Sequence, residues 1–322
     1  MNLYPLKFDP ILKERLWGGT KLKDVLEKPI VNDITGESWE LSAVEGDVSI
    51  VANGELSGTS LQELINKYPE ELLGKSVVER FGKEFPILIK FIDAKQDLSI
   101  QLHPNDELAK KRHNSFGKTE MWYIMDADKG AELIVGFNKD VTKEEYAKSI
   151  EENTLLDLLN YESVKEGDTF FINTGKMHAI GAGVLLAEIQ QTSDITYRVF
   201  DFNRKDKNGN LRELHTDLAL DAIDYTKKDD FKVKYSDKKD SVNNMVSCPY
   251  FNTNILELTK DLKLDVEKRD SFTIYMCVGG RATISNEFGT VNIKNGETTL
   301  VPAQSKKINI ITTNAKLLEV TI

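Results

Sequence analysis

Apolar and polar residues alternate with a period of two along many short stretches of this chain, the spacing of strands that bury one face. Leu98, Ile100 and Leu102 alternate with Ser99, Gln101 and His103, and Glu120-Met-Trp-Tyr-Ile124 opens another alternating run. Val184, Leu186 and Glu188 share one strand face, and Thr196, Arg198 and Phe200 share another. The runs are rich in Val, Ile, Thr, Phe and Tyr and are broken by Gly, Asn and Asp, which predicts an all-β protein with helical inserts. Helices are expected at residues 60–68, capped by Thr59 or Ser60, and at 142–150, where Thr142 and Glu145 have the spacing of a capping box. A third is expected at 211–223, apolar at Leu214, Leu218 and Leu220. Residues 227–240 are polar, charged and expected to be weakly structured, so the chain divides there into domains 1–240 and 241–322.

A length of 322 residues suffices for one large or two ordinary domains with proper cores. The 42 basic residues are outnumbered by 52 acidic ones, a net charge of -10, which argues against a nucleic-acid or anionic-membrane partner. An anionic small substrate needs only a local cluster of positive charge. The amino terminus lacks the basic region and apolar run of a signal peptide, and the most apolar stretch, 85–92, is short and carries Lys90. These features point to a cytoplasmic protein. Cys248 and Cys277 are the only cysteines and are expected to be buried thiols, not a disulfide.

Gln101 and His103 lie two residues apart on one strand face, Glu120 opens a second strand, and His178 follows the Gly175 turn. Any one of them alone has an ordinary reading as a hydrogen-bonded residue. Together two imidazoles, a carboxylate and an amide oxygen form a ligand set suited to zinc, with room for substrate or water as a further ligand. The set predicts one catalytic metal per chain. His113, at the end of a charged run, and His215, in the expected third helix, read as structural. Glu188 and Arg198 are charges on otherwise apolar strand faces. They are either a structural salt bridge or a general acid/base and an oxyanion stabiliser beside the metal. Lys118 and Lys90 are further cations able to face the site.

Gly167, Asn173, Gly175 and His178 follow the spacing of the second cupin motif, with Asn173 where proline is usual. Gly296-Glu-Thr-Thr-Leu-Val-Pro302 repeats the Gly-to-Pro spacing, with Gln304 and Lys307 where Gly and His would stand, and Gly279-Gly-Arg-Ala-Thr-Ile284 is similar to the start of a cupin hairpin. Chance likeness of strand-turn-strand segments is one explanation. A duplication is the other, giving two cupin-like β-barrels of jelly-roll type, the first metal-bearing and the second degenerate and without metal.

The segments Glu14-Arg-Leu-Trp-Gly-Gly19, Gly36-Glu-Ser-Trp-Glu-Leu-Ser42, 85–106, 117–123 and 178–204 resemble the zinc-dependent type I phosphomannose isomerases in their short bacterial form. The resemblance implies that Gln101, His103, Glu120 and His178 hold zinc, that Arg198 is the catalytic arginine, and that Ser99, Lys118 and Glu188 fall in the substrate pocket. Two departures stand out. Phe116-Gly-Lys-Thr-Glu120 replaces the longer members' Asn-His-Lys-Pro-Glu, and too little chain separates Glu120 from His178 for their large helical domain. The full candidate set is Arg198, Glu188 and Lys118 for catalysis, and Ser99, Lys90 and Arg204 for substrate, Arg204 as a phosphate contact. The expected activity is interconversion of mannose 6-phosphate and fructose 6-phosphate through a cis-enediol. The rival expectations are a cupin metal dioxygenase and a non-catalytic sugar-phosphate-binding bicupin.

Overall fold

A computed structural model describes residues 1–205, 208–229 and 231–322. As the alternation predicts, the protein is mostly β with a few helices, and every strand pairing is antiparallel. The main sheets run as open paths, not as closed barrels. A six-stranded sheet takes the order Ile11–Gly19, Thr35–Leu41, Ile87–Ala94, Val184–Gln191, Glu120–Ala127, Thr169–Ile172. A five-stranded sheet takes the order Tyr197–Phe200, Ile100–Leu102, His178–Ile180, Glu132–Phe137, Leu159–Ser163. A seven-stranded sheet uses residues 243–321, with the long strands Thr273–Asn286 and Lys307–Thr321 at its centre.

Apolar side chains divide the layers. Between the six- and five-stranded sheets lie Ile92, Trp122, Leu133, Val135, Phe170 and Leu186. The opposite face of the six-stranded sheet, with Ile89, Phe91, Tyr123 and Ile189, packs into a core that also contains Leu64, Leu73, Phe251, Phe272 and Leu318. That core joins residues on both sides of position 240. Leu6 and Leu300 exchange backbone hydrogen bonds of 2.8 and 2.9 Å, and Phe85 stacks on Phe272 with ring centroids 5.0 Å apart. Asp270 accepts hydrogen bonds from the backbone N–H of Lys75 and Ser76, supplying from the C-terminal part a cap that Gly74 has no side chain to provide.

The expected capping box forms, Thr142 with Glu145 before Lys143–Glu151, and of the two candidates Thr59 and Ser60 it is Ser60 that caps Leu61–Lys67, in a second capping box with Glu63. The expected helix at 211–223 shrinks to Thr216–Ala219. Tertiary pairing overrides its periodicity: Leu211 bridges to Lys205, Arg212 reaches Asp201, and the His215 N–H donates to the Arg198 carbonyl at 2.6 Å. Leu211 and Leu214 are correspondingly exposed, so no buried stripe forms. The linker is also more ordered than its charge suggests. Phe231, Val233 and Tyr235 alternate with lysines, and they pack inward while Val233 donates to the Thr169 carbonyl at 2.8 Å. Asp230 of that linker lies outside the described residues. Cys248 is half-buried, Cys277 buried, and both are free thiols.

The stretch near residue 296 echoes the one near 167. Gly167 and Gly296 have φ of 88° and 84°, and each precedes a four-residue strand, Thr169–Ile172 and Thr298–Val301. Residues 281–286 form a hairpin with 289–294, as their likeness to a hairpin start predicts.

Because one core joins the two parts, Phe272→Ala should lower stability by about 3–5 kcal/mol. Urea unfolding followed by fluorescence checks this, since Trp17, Trp39 and Trp122, the only tryptophans, all precede residue 123. An unmoved fluorescence midpoint would mean that the two parts unfold independently.

Candidate metal centre and adjoining cavity

Strand register assembles the site as two facing rows. Across the six-stranded sheet, Trp39 pairs with Lys90, Lys90 with Glu188, and Glu188 with Trp122, so four neighbouring strands present these side chains on one face. One step along that face, Leu88, Gln190, Glu120 and Ile172 form the next row. Across the five-stranded sheet, Arg198 pairs with Gln101, Gln101 with His178, and His178 with Val135. The space between the rows is the candidate site.

Within it His103, Glu120 and His178, each 1% exposed, bring their ligand atoms within 4.8 Å of one another. His103 Nε2 lies 3.5 Å from Glu120 Oε2, and His178 Nε2 lies 3.4 Å from Glu120 Oε1. The outer ring nitrogens are occupied. His103 Nδ1 is 2.9 Å from the Ile195 carbonyl and His178 Nδ1 is 2.8 Å from the Lys176 carbonyl. A carbonyl only accepts, so each Nδ1 carries the proton and each Nε2 turns a lone pair inward. Both Nε2 atoms and both Glu120 oxygens are buried without a hydrogen-bond partner among the described residues. Burial and the nearby Lys118 ammonium lower the His103 pKa, and burial lowers that of His178 despite Glu120. Burial alone would raise Glu120, but Lys118 and the two imidazoles outweigh it and hold the carboxyl well below its usual range. Neutral imidazoles around a charged carboxylate are the protonation state that metal binding requires, so this cluster fits a divalent cation. Gln101, opposite His178 in register, lines the cavity beside the cluster and is the neutral oxygen donor at hand.

The adjoining cavity has a volume of about 390 Å³, within the range of small-molecule sites, about 300–1,000 Å³. Of the residues read from the sequence, Lys90, Ser99, Gln101, Lys118, Glu188 and Arg198 all line it. Glu188 does not pair with Arg198, which removes the simple salt-bridge reading. Its Oε1 accepts from Lys90 Nζ at 2.9 Å and its Oε2 from Trp122 Nε1 at 2.9 Å. Burial would lower Lys90, but Glu188 and Glu37 raise its pKa, so the ammonium stays charged. Lys118 Nζ lies 3.6 Å from Glu120 Oε2. Arg198 donates from Nε to Ser99 Oγ at 3.3 Å and from a terminal nitrogen to the Glu213 carbonyl at 2.9 Å, and forms no ion pair among the described residues.

Arg204 stands elsewhere. It donates to Asp201 and to the Asp97 carbonyl and does not line the cavity. Arg212 lines it instead, 3.4 Å from Asp201, and was hidden in sequence by the helical reading of 211–223. Burial and the neighbouring Arg212 lower the Arg198 pKa, so these guanidiniums lie close enough to repel. Arg15, Trp17, Glu37, Trp39 and Asp194 complete most of the wall. Glu37 accepts from Arg15 and from Trp39 Nε1, each at 2.8 Å. Glu37 and Trp39 come to the cavity because their strand pairs with Ile87–Ala94, and Arg15 and Trp17 because theirs pairs in turn with Thr35–Leu41. His113 is 2.9 Å from the Tyr197 hydroxyl, whereas His215 precedes the short helix and accepts from the Arg198 N–H through Nδ1 at 3.2 Å.

Comparison with known proteins agrees with this architecture. The family model "Phosphomannose isomerase type I, catalytic domain" matches residues 6–151, and "Mannose-6-phosphate isomerase, cupin domain" matches residues 241–321. The chain is 38% identical to mannose-6-phosphate isomerase ManA of Bacillus subtilis over 306 residues, 94% of each chain. It is 33% identical to the mannose-6-phosphate isomerase of Streptococcus mutans over 299 residues, 92% of each. A crystal structure of a mannose 6-phosphate isomerase from Bacillus subtilis superposes with a TM-score of 0.90 at 32% identity, covering 99% of this chain and 100% of that one. By sequence along nearly its whole length and by fold, the chain belongs to the type I phosphomannose isomerase family.

Proposed function

We propose that the chain interconverts mannose 6-phosphate and fructose 6-phosphate through a cis-enediol. In this reading His103, Glu120, His178 and Gln101 hold one divalent ion, which the mixed nitrogen and oxygen donors suit to zinc. The observation that carries the reading is the set of four buried ligand atoms without hydrogen-bond partners among the described residues, beside a cavity in whose lining cations outnumber carboxylates. A bound ion supplies Lewis-acid stabilisation of the negative charge that develops on the substrate oxygens.

The remaining chemistry falls to the side chains. Arg198, held by Ser99 and a carbonyl but by no carboxylate, donates to the developing oxyanion. Glu188 carries the proton between C2 and C1; each of its oxygens has one donor and keeps a lone pair for that proton. Lys90 donates to that carboxylate and holds it in place. The phosphate is assigned to Arg212, Ser99 and Lys118, with Arg204 acting indirectly by sharing Asp201. Residues 1–240 form the catalytic unit and 241–322 a degenerate cupin-like unit, an assignment supported by the echo of the Gly167 turn at Gly296. A charged phosphate ester does not cross membranes unaided, which supports a cytoplasmic enzyme acting on a substrate held in the same compartment.

Chelation should abolish mannose 6-phosphate turnover and added zinc restore it, and His103→Ala or His178→Ala should lose metal and activity together. A metal-free variant with full activity would remove that residue from the ligand set. Unchanged activity without oxygen separates this reading from a dioxygenase, and tight sugar-phosphate binding without turnover would favour a sensor. Arg198→Ala should lower kcat roughly 10²–10³-fold with metal content kept; parallel loss of metal would make the arginine structural. Arg212→Ala should raise KM roughly tenfold with little change in kcat, and a wild-type KM would exclude it from the phosphate site.

A further inference from the structure

One side chain from the C-terminal part of the chain reaches toward the candidate centre. Tyr250, in the turn between the strands Asn243–Ser247 and Asn252–Leu258, donates from its hydroxyl to Asp106 Oδ2 at 2.6 Å. The other oxygen of Asp106 accepts from the Gly117 N–H at 2.8 Å and from Gln191 Nε2 at 3.0 Å. Gln191 in turn accepts from the Thr119 N–H through Oε1 at 2.8 Å. The backbone on both sides of Lys118 is thus tied to one carboxylate, directly at Gly117 and through one amide at Thr119. Glu120 follows immediately.

The fit around Asp106 is tight. A Cβ on Gly117 would meet the Asp106 nitrogen at 2.7 Å, so the loop lies flush against the start of the Asp106–His113 helix. That helix begins just after His103 and Pro104, and the Lys118 N–H donates to the Pro104 carbonyl at 3.3 Å. Asp106 therefore connects the His103 turn, the Lys118–Glu120 segment and the end of the Val184–Gln191 strand. Arg80 steadies the Tyr250 turn by donating to the Pro249 carbonyl at 2.5 Å, with its guanidinium 6.0 Å from the Tyr250 ring. Burial and the Asp106 carboxylate push the phenol up to about 12, so it remains a donor at neutral pH.

We propose that Tyr250 is a positioning residue for the candidate centre: acting through Asp106, it fixes the 117–120 segment that carries Lys118 and Glu120. This rests on the functional reading above. It explains how residues that touch neither cavity nor cluster govern both. Freed from Tyr250, the Asp106 carboxylate can rotate, so the Gly117 N–H loses a fixed acceptor and the Gln191 amide that accepts from the Thr119 N–H loses its anchor. Glu120 then loosens in the cluster and Lys118 in the cavity.

The test is a double-mutant cycle on the zinc-loaded full chain, using Tyr250→Phe, Asp106→Asn and both together. The readouts are the rate of zinc release to a chromogenic chelator and kcat/KM for mannose 6-phosphate. Tyr250→Phe should release zinc roughly tenfold faster and lose a similar factor in kcat/KM, and in the Asp106→Asn background it should add almost nothing. Wild-type values for Tyr250→Phe, or losses that multiply in the double variant, would overturn the proposal. Measuring all four proteins below their unfolding midpoints keeps the cycle decisive even where a variant costs stability. A wild-type chain that retains zinc but does not isomerise the sugar defeats the functional reading, and zinc release alone then decides the role of Tyr250. A wild-type chain that retains no zinc overturns both.

Discussion

Two imidazole nitrogens and two carboxylate oxygens face one another in the dry space between two sheets, and none has a hydrogen-bond partner among the described residues, the Lys118 ammonium standing 3.6 Å from one carboxylate oxygen. Buried polar atoms without partners cost several kcal/mol in total at least. The cost is not relieved by protonating the histidines. Their outer nitrogens already give protons to the Ile195 and Lys176 carbonyls, and burial opposes a second proton on either ring. A cation at the centre is the simplest partner that answers all four atoms at once. Everything proposed for this chain, from the isomerase chemistry to the role of Tyr250, follows from that requirement.

The arrangement depends on register more than on any single strand. Trp39, Lys90, Glu188 and Trp122 meet because four strands pair with those residues opposite one another. Arg198, Gln101 and His178 meet on the facing sheet for the same reason. A slip of one residue in any strand would turn its polar group into the apolar layer on the other side and bring an apolar residue into the site. The cores on either face therefore protect the chemistry. Phe91 and Ile89 on one side, and Ile100 and Leu102 behind the other sheet, fix which residues look inward.

The same logic explains what could be read from the chain and what could not. Period-two alternation carries the orientation of a side chain within one strand, so Gln101, Glu120, Glu188 and Arg198 were legible as polar groups on inward faces. Local capping chemistry likewise marked Ser60 and Thr142. Pairing between distant strands leaves no local trace. Arg15 and Glu37 belong to strands whose places in the order next to Ile87–Ala94, one step out for Glu37 and two for Arg15, follow only from the assembled sheet. Arg212 sat in a stretch whose leucines suggested a helix, and its contact with Asp201 overrode that preference. Arg204, nearer in sequence to Arg198, was the more obvious candidate, but Asp201 and the Asp97 carbonyl already hold it.

The distribution of partners among the cations bears on which of them meets the substrate in the proposed reaction. Lys90 is matched by Glu188, Lys118 lies beside Glu120, and Arg15 is matched by Glu37. Arg204 takes the closer share of Asp201, leaving Arg212 a longer contact at 3.4 Å. Arg198 has only neutral acceptors among the described residues. The least compensated positive charges in the wall are thus Arg198 and Arg212; Arg212 repels Arg198, and Arg204 and Arg15 repel Arg212. An uncharged sugar would leave that repulsion in place. A phosphosugar relieves it, because its dianionic group offers planar guanidiniums the acceptor oxygens that the protein withholds. The cavity is in this sense electrostatically unfinished until an anion enters, as the cluster beside it is unfinished without a cation.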